Sequence, residues 1–336
     1  MGTANPERMR VEFWEWMIRG DGKAEPEEDD VVTDSGMIIR DGIVKSGYGP
    51  YDARQRFGLS ICDDGGPIWT FDRMGATHTR LPDGRYVSVA GEHEDYYDPD
   101  FYIYNDVVVT GPGGEIEIYG YPKEIFPPTD FHTATLVDHR IILIGSVGYP
   151  DDRRLGDTPV FALDLADYAI KEIQTTGEMP GWIHKHKAEC DSEGVITVRR
   201  GEVLGLRDGK QDFRRNFEEY ALDTRTGVWR RLTDRNWAEF SVQEEEKEIG
   251  SIDFYMNTKA LFPENVEYTM GPPEEAEWDE TRFLVEGVTV SVTGGLGNIR
   301  IVIEGQLPDD LVGRITEGMR ANMEALNQRK CTITRL

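Results

Sequence analysis

Arg73-Met74-Gly75-Ala76-Thr77-His78-Thr79 runs through Leu81-Pro82-Asp83-Gly84-Arg85 into the strand-like Tyr86-Val87-Ser88-Val89-Ala90-Gly91. Phe131-His132-Thr133-Ala134-Thr135-Leu136 runs through Asp138-His139-Arg140 into Ile141-Ile142-Leu143-Ile144-Gly145. His184-Lys185-His186-Lys187-Ala188 runs through Asp191-Ser192-Glu193-Gly194 into Val195-Ile196-Thr197-Val198. The intervals His78 to His132 (132 − 78) and His132 to His186 (186 − 132) are both 54 residues. A period of that size with several short strands per unit points to a β-propeller or another repeat array.

A second feature repeats in step with the histidines. Two β-runs joined by a turn-forming cluster recur at Leu59–Phe71, Asp106–Ile118, Val160–Ile170 and Tyr220–Leu232. The clusters Asp63-Asp64-Gly65-Gly66, Gly111-Pro112-Gly113-Gly114 and Asp223-Thr224-Arg225-Thr226-Gly227 have the composition of hairpin turns. One such unit cannot bury both of its faces, so neighbouring units must stack.

The string R-x-G-x-x-H-T-x-L-P-D-G-R at Arg73–Arg85, Asn105-Asp106 before a hydrophobic strand, and L-D-T-x-T-G-x-W at Leu222–Trp229 resemble kelch repeats. The resemblance covers residues 32–233 as four units. It implies a mainly β fold, a kelch-like β-propeller related to the central domain of galactose oxidase. The paired glycines of the family are eroded to Ala90-Gly91 and Gly145-Ser146, and the tryptophan survives at Trp69 and Trp229. Four units fall short of the six or seven blades usual in that family. A small propeller, a degenerate fifth blade or an atypical closure are the open alternatives.

Outside the repeats, Val11–Ile18 is β-rich by composition, and Glu25–Asp30 is an acidic linker. The chain divides into residues 1–233, the repeats, and residues 234–336, an acidic C-terminal α/β segment that either stands alone or completes the propeller. Within that segment Asn236–Glu248 is helix-compatible, and Phe283–Val292 and Ile299–Glu304 alternate as strands. Pro308-Asp309 starts a helix with Leu311, Ile315, Met319, Met323 and Leu326 on one face, and Thr332–Thr334 is a last strand. Gly294-Gly295-Leu296-Gly297-Asn298 lies between two strands, so it is a hairpin turn; a phosphate loop needs a helix N-terminus behind it.

Composition narrows the function. With 63 acidic against 37 basic residues the formal net charge is −26. Such a field repels nucleic acid and anionic membranes and attracts basic partners. No apolar run approaches the ~20 residues of a membrane span. Met1–Arg10 is polar and has no apolar signal region. The three cysteines, Cys62, Cys190 and Cys331, are widely spaced and odd in number, which suits free thiols in a reducing, cytoplasmic compartment.

Two features carry candidate chemistry. Equivalent positions of successive blades fall at one radius, so His78, His132 and His186 are candidate metal ligands. The alternative is that each bonds within its own blade, the role the kelch resemblance implies. The string Glu92–Tyr102 joins carboxylates to aromatic rings, and Asp95, Tyr96, Tyr97, Asp98 and Tyr102 are the candidate contact residues for a partner. Pro99 and the lack of glycine set this string apart from a calcium loop. Some kelch-type enzymes use copper with a tyrosine–cysteine crosslink, others iron with an E-x3-D-x3-H string. Neither signature is present, nor is G-x-S-x-G, HExxH or a Walker string. The leading expectation is a non-enzymatic, protein-binding propeller without a cofactor, an acidic inhibitor or immunity-type partner of a basic protein. The alternative is a kelch-fold enzyme acting on a sugar-like or small polar substrate at the propeller mouth.

Overall fold

The computed structural model describes residues 2–19, 31–32, 38–40, 43–45, 55–58, 69–95, 98–207, 209–245, 258–271, 280–295 and 297–336. The protein is mainly β. It divides into two compact units, Met1–Thr233 and Asp234–Leu336.

Three antiparallel sheets make the body of the first unit. The first orders Glu7–Met9, Ile116–Gly120, Asp106–Thr110, Tyr86–Val89 and Thr77–Arg80. The second is a four-stranded meander of Thr133–Val137, Arg140–Ile144, Val160–Asp164 and Ile170–Glu172. The third repeats that meander with Lys187–Cys190, Val195–Arg199, Tyr220–Asp223 and Val228–Arg231, and Thr176–Gly177 adds a parallel edge. The hairpins expected at Asp106–Ile118, Val160–Ile170 and Tyr220–Leu232 are the outer two strands of each meander. The expected hairpin at Leu59–Phe71, with Cys62, lies outside the described residues up to Ile68. Among the described residues no sheet closes on itself.

Continuous apolar runs explain the stacking. In Ile141–Ile144 alternate side chains point to opposite faces, and all four are buried. Ile141 and Leu143, with Phe161 and Leu163, pack on Val87, Val89, Val107 and Val109 of the first sheet. Ile142 and Ile144, with Val160 and Ala162, pack on Ile196, Val198, Leu222 and Trp229 of the third. A middle sheet buried on both sides needs apolar residues at every position, and each large side chain so buried contributes about 1.5–3 kcal/mol.

The outer face of the first sheet is covered by a helix, Glu12–Arg19, where composition suggested a strand. The deciding feature is spacing: Phe13 and Met17, and Trp14 and Ile18, are four residues apart and fall on one helical face. Met17 and Ile18 are buried with Trp69, Phe71, Tyr104, Val108 and Ile118, and Trp14 stacks on Trp69 at 4.8 Å. Under the helix lies a buried ion pair. Arg73 bonds Asp106 through both carboxylate oxygens, at 2.5 and 2.9 Å, and also the carbonyls of Thr70 and Ala90. Trp69 Nε1 donates to Asp106 Oδ2, and the Arg73 guanidinium lies over the Tyr104 ring. The arginine and aspartate of the repeat motifs thus brace the connections of one sheet.

In the second unit a six-stranded sheet carries the helix Asp309–Asn327 on one face. Leu311, Ile315, Met319 and Met323 are buried there as expected, but Leu326 is 60% exposed, because the row of residues four apart that meets the sheet continues to Asn327, whose amide bonds Glu244 of the sheet. The segment expected to be helical at Asn236–Glu248 contains the strand Ala238–Glu244 instead. Its glutamates suggested a helix, but Phe240 and Val242 face the core while Ser241 and Gln243 between and after them are more open, a period of two. The strand pairs with Asn298–Glu304 on one side and Cys331–Arg335 on the other. Gly294-Gly295 and Asn298 lie at the expected hairpin turn, and Leu296 is outside the described residues. Among the described residues no helix is long and apolar enough to cross a membrane.

Candidate functional site

The three sheets are entered in the same way. The residue two places before each first strand has a left-handed backbone: Gly75 (φ 64°), Phe131 (φ 46°) and Lys185 (φ 51°). The Phe131 N–H donates to the Gly75 carbonyl and the Lys185 N–H to the Phe131 carbonyl, so successive entries are tied in a chain. A Cβ on Gly75 would stand 2.6 Å from the Phe131 nitrogen, so only glycine fits there. This defines the true equivalence. Ala76, His132 and His186 each precede the first strand, and His78 lies two residues further, inside it. The equal 54-residue intervals are therefore not the structural repeat at the first unit.

The histidines act between sheets. His132 Nε2 lies 2.8 Å from Thr77 Oγ1 of the first sheet, and His186 Nε2 lies 2.8 Å from Thr133 Oγ1 of the second. His78 Nδ1 lies 2.8 Å from Ser88 Oγ, within its own sheet. The expectation that each histidine bonds within its own unit is corrected for two of the three. Burial lowers both His132 and His186 to a pKa of about 3, and neighbouring imidazoles push in the same direction. Both rings are neutral at physiological pH. Among the described residues no group of three or more His, Cys, Asp or Glu side chains is placed to hold a metal ion, so the three candidate ligands do not form a common site.

The polar cluster of the first unit lies one step earlier in the repeat. Met74, Asp130 and His184 are equivalent, each three residues before its first strand. Asp130 is fully buried and accepts from the Ser146 hydroxyl at 2.9 Å and the Gly148 N–H at 2.7 Å, both on Oδ1. Its Oδ2 receives no hydrogen-bond donor among the described residues. Burial pushes Asp130 up from the usual carboxylate range, against the hydrogen bonds from Gly148, Ser146 and Glu92. Before the third sheet, in the short strand Ile183–His184 that pairs with Glu202–Arg207, His184 Nε2 lies 3.4 Å from Glu202 Oε2, and burial lowers His184 to about 3.

Around this cluster the connections between second and third strands build one loop face. In the first sheet the connection is the hairpin Glu92–Asp95 and Asp98–Ile103. In the second it is the loop 145–159, and in the third the hairpin Glu202–Arg207 and Lys210–Arg215. The three are linked. Tyr149 Oη accepts from the Ile103 N–H at 2.9 Å, and its ring meets Phe101 edge-on. Arg153 lies 4.9 Å over the Phe213 ring and donates to Gln211, whose amide donates to the Pro150 carbonyl. Among the described residues each connection exposes a large apolar side chain: Phe101 at 43%, Leu155 at 52% and Leu206 at 49%.

Of the expected contact residues, Tyr96 and Tyr97 lie outside the described residues. Asp95 and Asp98 are placed by backbone alone, as partners across the hairpin. Tyr102 turns inward against Tyr104, ring centroids 5.0 Å apart, and burial raises its pKa. Its neighbour Phe101 takes the outward place, as strand alternation requires. Sequence reasoning passed over Asp130, Arg153, Leu155 and Leu206. Aligning the units on the residues before each first strand would have drawn Asp130 and His184 together.

No family model matches the chain, and no curated protein matches it. A solved structure, that of YjhT, aligns at 12% identity with a TM-score of 0.31, over 67% of this chain and 64% of that one. The chain therefore spans less than two thirds of the length of YjhT.

Proposed function

We propose that the chain is a kelch-like, propeller-type repeat protein that binds another protein through the loop face, as an acidic partner or inhibitor of a basic protein. The observation that carries this reading is the placement of Phe101, Leu155 and Leu206, one exposed apolar side chain on each of three linked connections. Exposed apolar groups gathered on one face, with a polar surround, mark contact surfaces. The net charge of −26 supports a basic partner. The free thiols Cys190 and Cys331 support a reducing, cytoplasmic setting.

The experiment is recovery of bound protein from the native cell with the tagged chain as bait, beside the triple variant Phe101→Ser/Leu155→Ser/Leu206→Ser. A basic protein should come down with the wild type, weaken as salt rises, and be lost with the variant. Equal recovery by both chains would reject the loop face as the binding surface.

A further inference from the structure

We propose that the strand Cys331–Arg335 pairs with its own copy in a second molecule, joining two six-stranded sheets across a twofold axis at Thr334. This contact belongs to the second unit and does not depend on the loop-face reading. The strand is the last in its sheet and has Ala238–Glu244 as a neighbour on one side only. The bonds from the Leu336 N–H to the Glu239 carbonyl and from the Glu245 N–H to the Lys330 carbonyl fix which groups face inward. Bonded pairs alternate along an antiparallel ladder, so residues 332 and 334 turn their N–H and C=O groups toward Ala238–Glu244, and 331, 333 and 335 turn theirs outward. Cys331 shows the direction: its N–H leaves the sheet and meets Glu324 Oε1 at 2.8 Å. The outward N–H and C=O groups of Ile333 and Arg335 have no partner among the described residues.

Two outward residues separated by one are what a strand needs to pair with itself. With Thr334 on the axis, Ile333 of each chain faces Arg335 of the other, and each facing pair exchanges two N–H···O bonds. That gives four backbone bonds, and the exposed Thr334 meets its copy side by side. Native sheets guard an open edge with a proline, a bulge or a covering segment. This strand has no proline, its register with Ala238–Glu244 runs without a bulge, and Cys331 and Ile333 pack on the core.

Charge favours a second copy over a strongly acidic or basic strand. Arg320 is shared between Glu317 and Glu324, and Arg329 is paired with Glu244. Residues 317–335 hold four basic and two acidic side chains, a surplus of 4 − 2 = 2 in a chain whose net charge is −26. A nearly balanced edge selects neither sign of partner, and two copies meet there with less repulsion than their total charge would give.

The test is sedimentation equilibrium of the full chain over a range of concentrations. Wild type should reach twice the mass of one chain and dissociate on dilution. Arg335→Pro removes an outward N–H and no bond of the sheet itself, so it should weaken the dimer about tenfold or more and leave the far-ultraviolet circular dichroism unchanged. Arg335→Ala keeps that N–H and should dimerise like wild type. In wild type, amide exchange at Ile333 and Arg335 should slow as concentration rises, a readout that holds even if the proline variant fails to fold. The Phe101→Ser/Leu155→Ser/Leu206→Ser variant should also dimerise like wild type. A chain that stays monomeric, a dimer that survives Arg335→Pro, a dimer lost in Arg335→Ala or in the loop-face variant, or exchange at Ile333 and Arg335 that ignores concentration would each overturn the proposal.

Discussion

His132 Nε2 lies 2.8 Å from Thr77 Oγ1, so a side chain at the entry to the second sheet is fastened to the first strand of the sheet before it. His186 makes the same contact with Thr133 one sheet later. Faces buried by apolar side chains are non-directional, and these polar contacts fix the register in which the sheets meet.

His132→Ala should destabilise the first unit by about 1–3 kcal/mol, because it removes a buried bond and leaves Thr77 without that partner. In a double-mutant cycle, Thr77→Val and His132→Ala together should cost less than their sum, by about 1 kcal/mol. Urea unfolding of the four chains measures it. Strict additivity would mean that the contact contributes nothing.

The same histidines set a pH dependence. His132, His184 and His186 fall to a pKa of about 3 in the folded protein, below the ordinary value of 6.5. The unfolded chain therefore binds more protons between these values. The stability they contribute is fully present above about pH 6.5 and is lost as pH falls toward 3. Each adds a slope of up to ~1.4 kcal/mol per pH unit. Asp130, whose pKa is raised, opposes this over part of the range. Urea midpoints measured from pH 7 to pH 4 should fall steadily, and less steeply in His186→Gln.

Arg73→Lys should cost about 3–5 kcal/mol although it keeps the charge. Lysine cannot bridge both oxygens of Asp106 and reach the Thr70 and Ala90 carbonyls, so a buried carboxylate is left poorly paired. Thermal unfolding against wild type reads this, and an unchanged midpoint would show that the pair is not closed in solution.

On the C-terminal helix, Ile315→Asp should cost about 4 kcal/mol or more, since Ile315 is fully buried. Leu326→Asp, at an exposed site, should stay within about 0.5 kcal/mol. Equal effects of the two, by thermal unfolding of the full chain, would contradict the packing of this face.

The hairpins and the helix at Asp309–Asn327 were legible in the sequence because their signals are local: turn clusters, alternation, and apolar residues three or four apart. The strand at Ala238–Glu244 was obscured by its glutamates, and the helix at Glu12–Arg19 by its aromatic content, where period and not composition decides. The histidine spacing misled by two residues at the first unit. Equal sequence intervals absorb differences in connection length, whereas the left-handed residues Gly75, Phe131 and Lys185 mark the structural phase. The contact of His132 with Thr77 has no local signal, because it arises where two sheets meet.

The most direct measurement is hydrogen exchange of the chain alone and bound to the partner it recovers. New protection should be concentrated in residues 98–103, 147–157 and 202–215, the three linked connections of the loop face. Protection confined to the helix Asp309–Asn327 or to the outer strands of the sheets, with those connections unchanged, would contradict it.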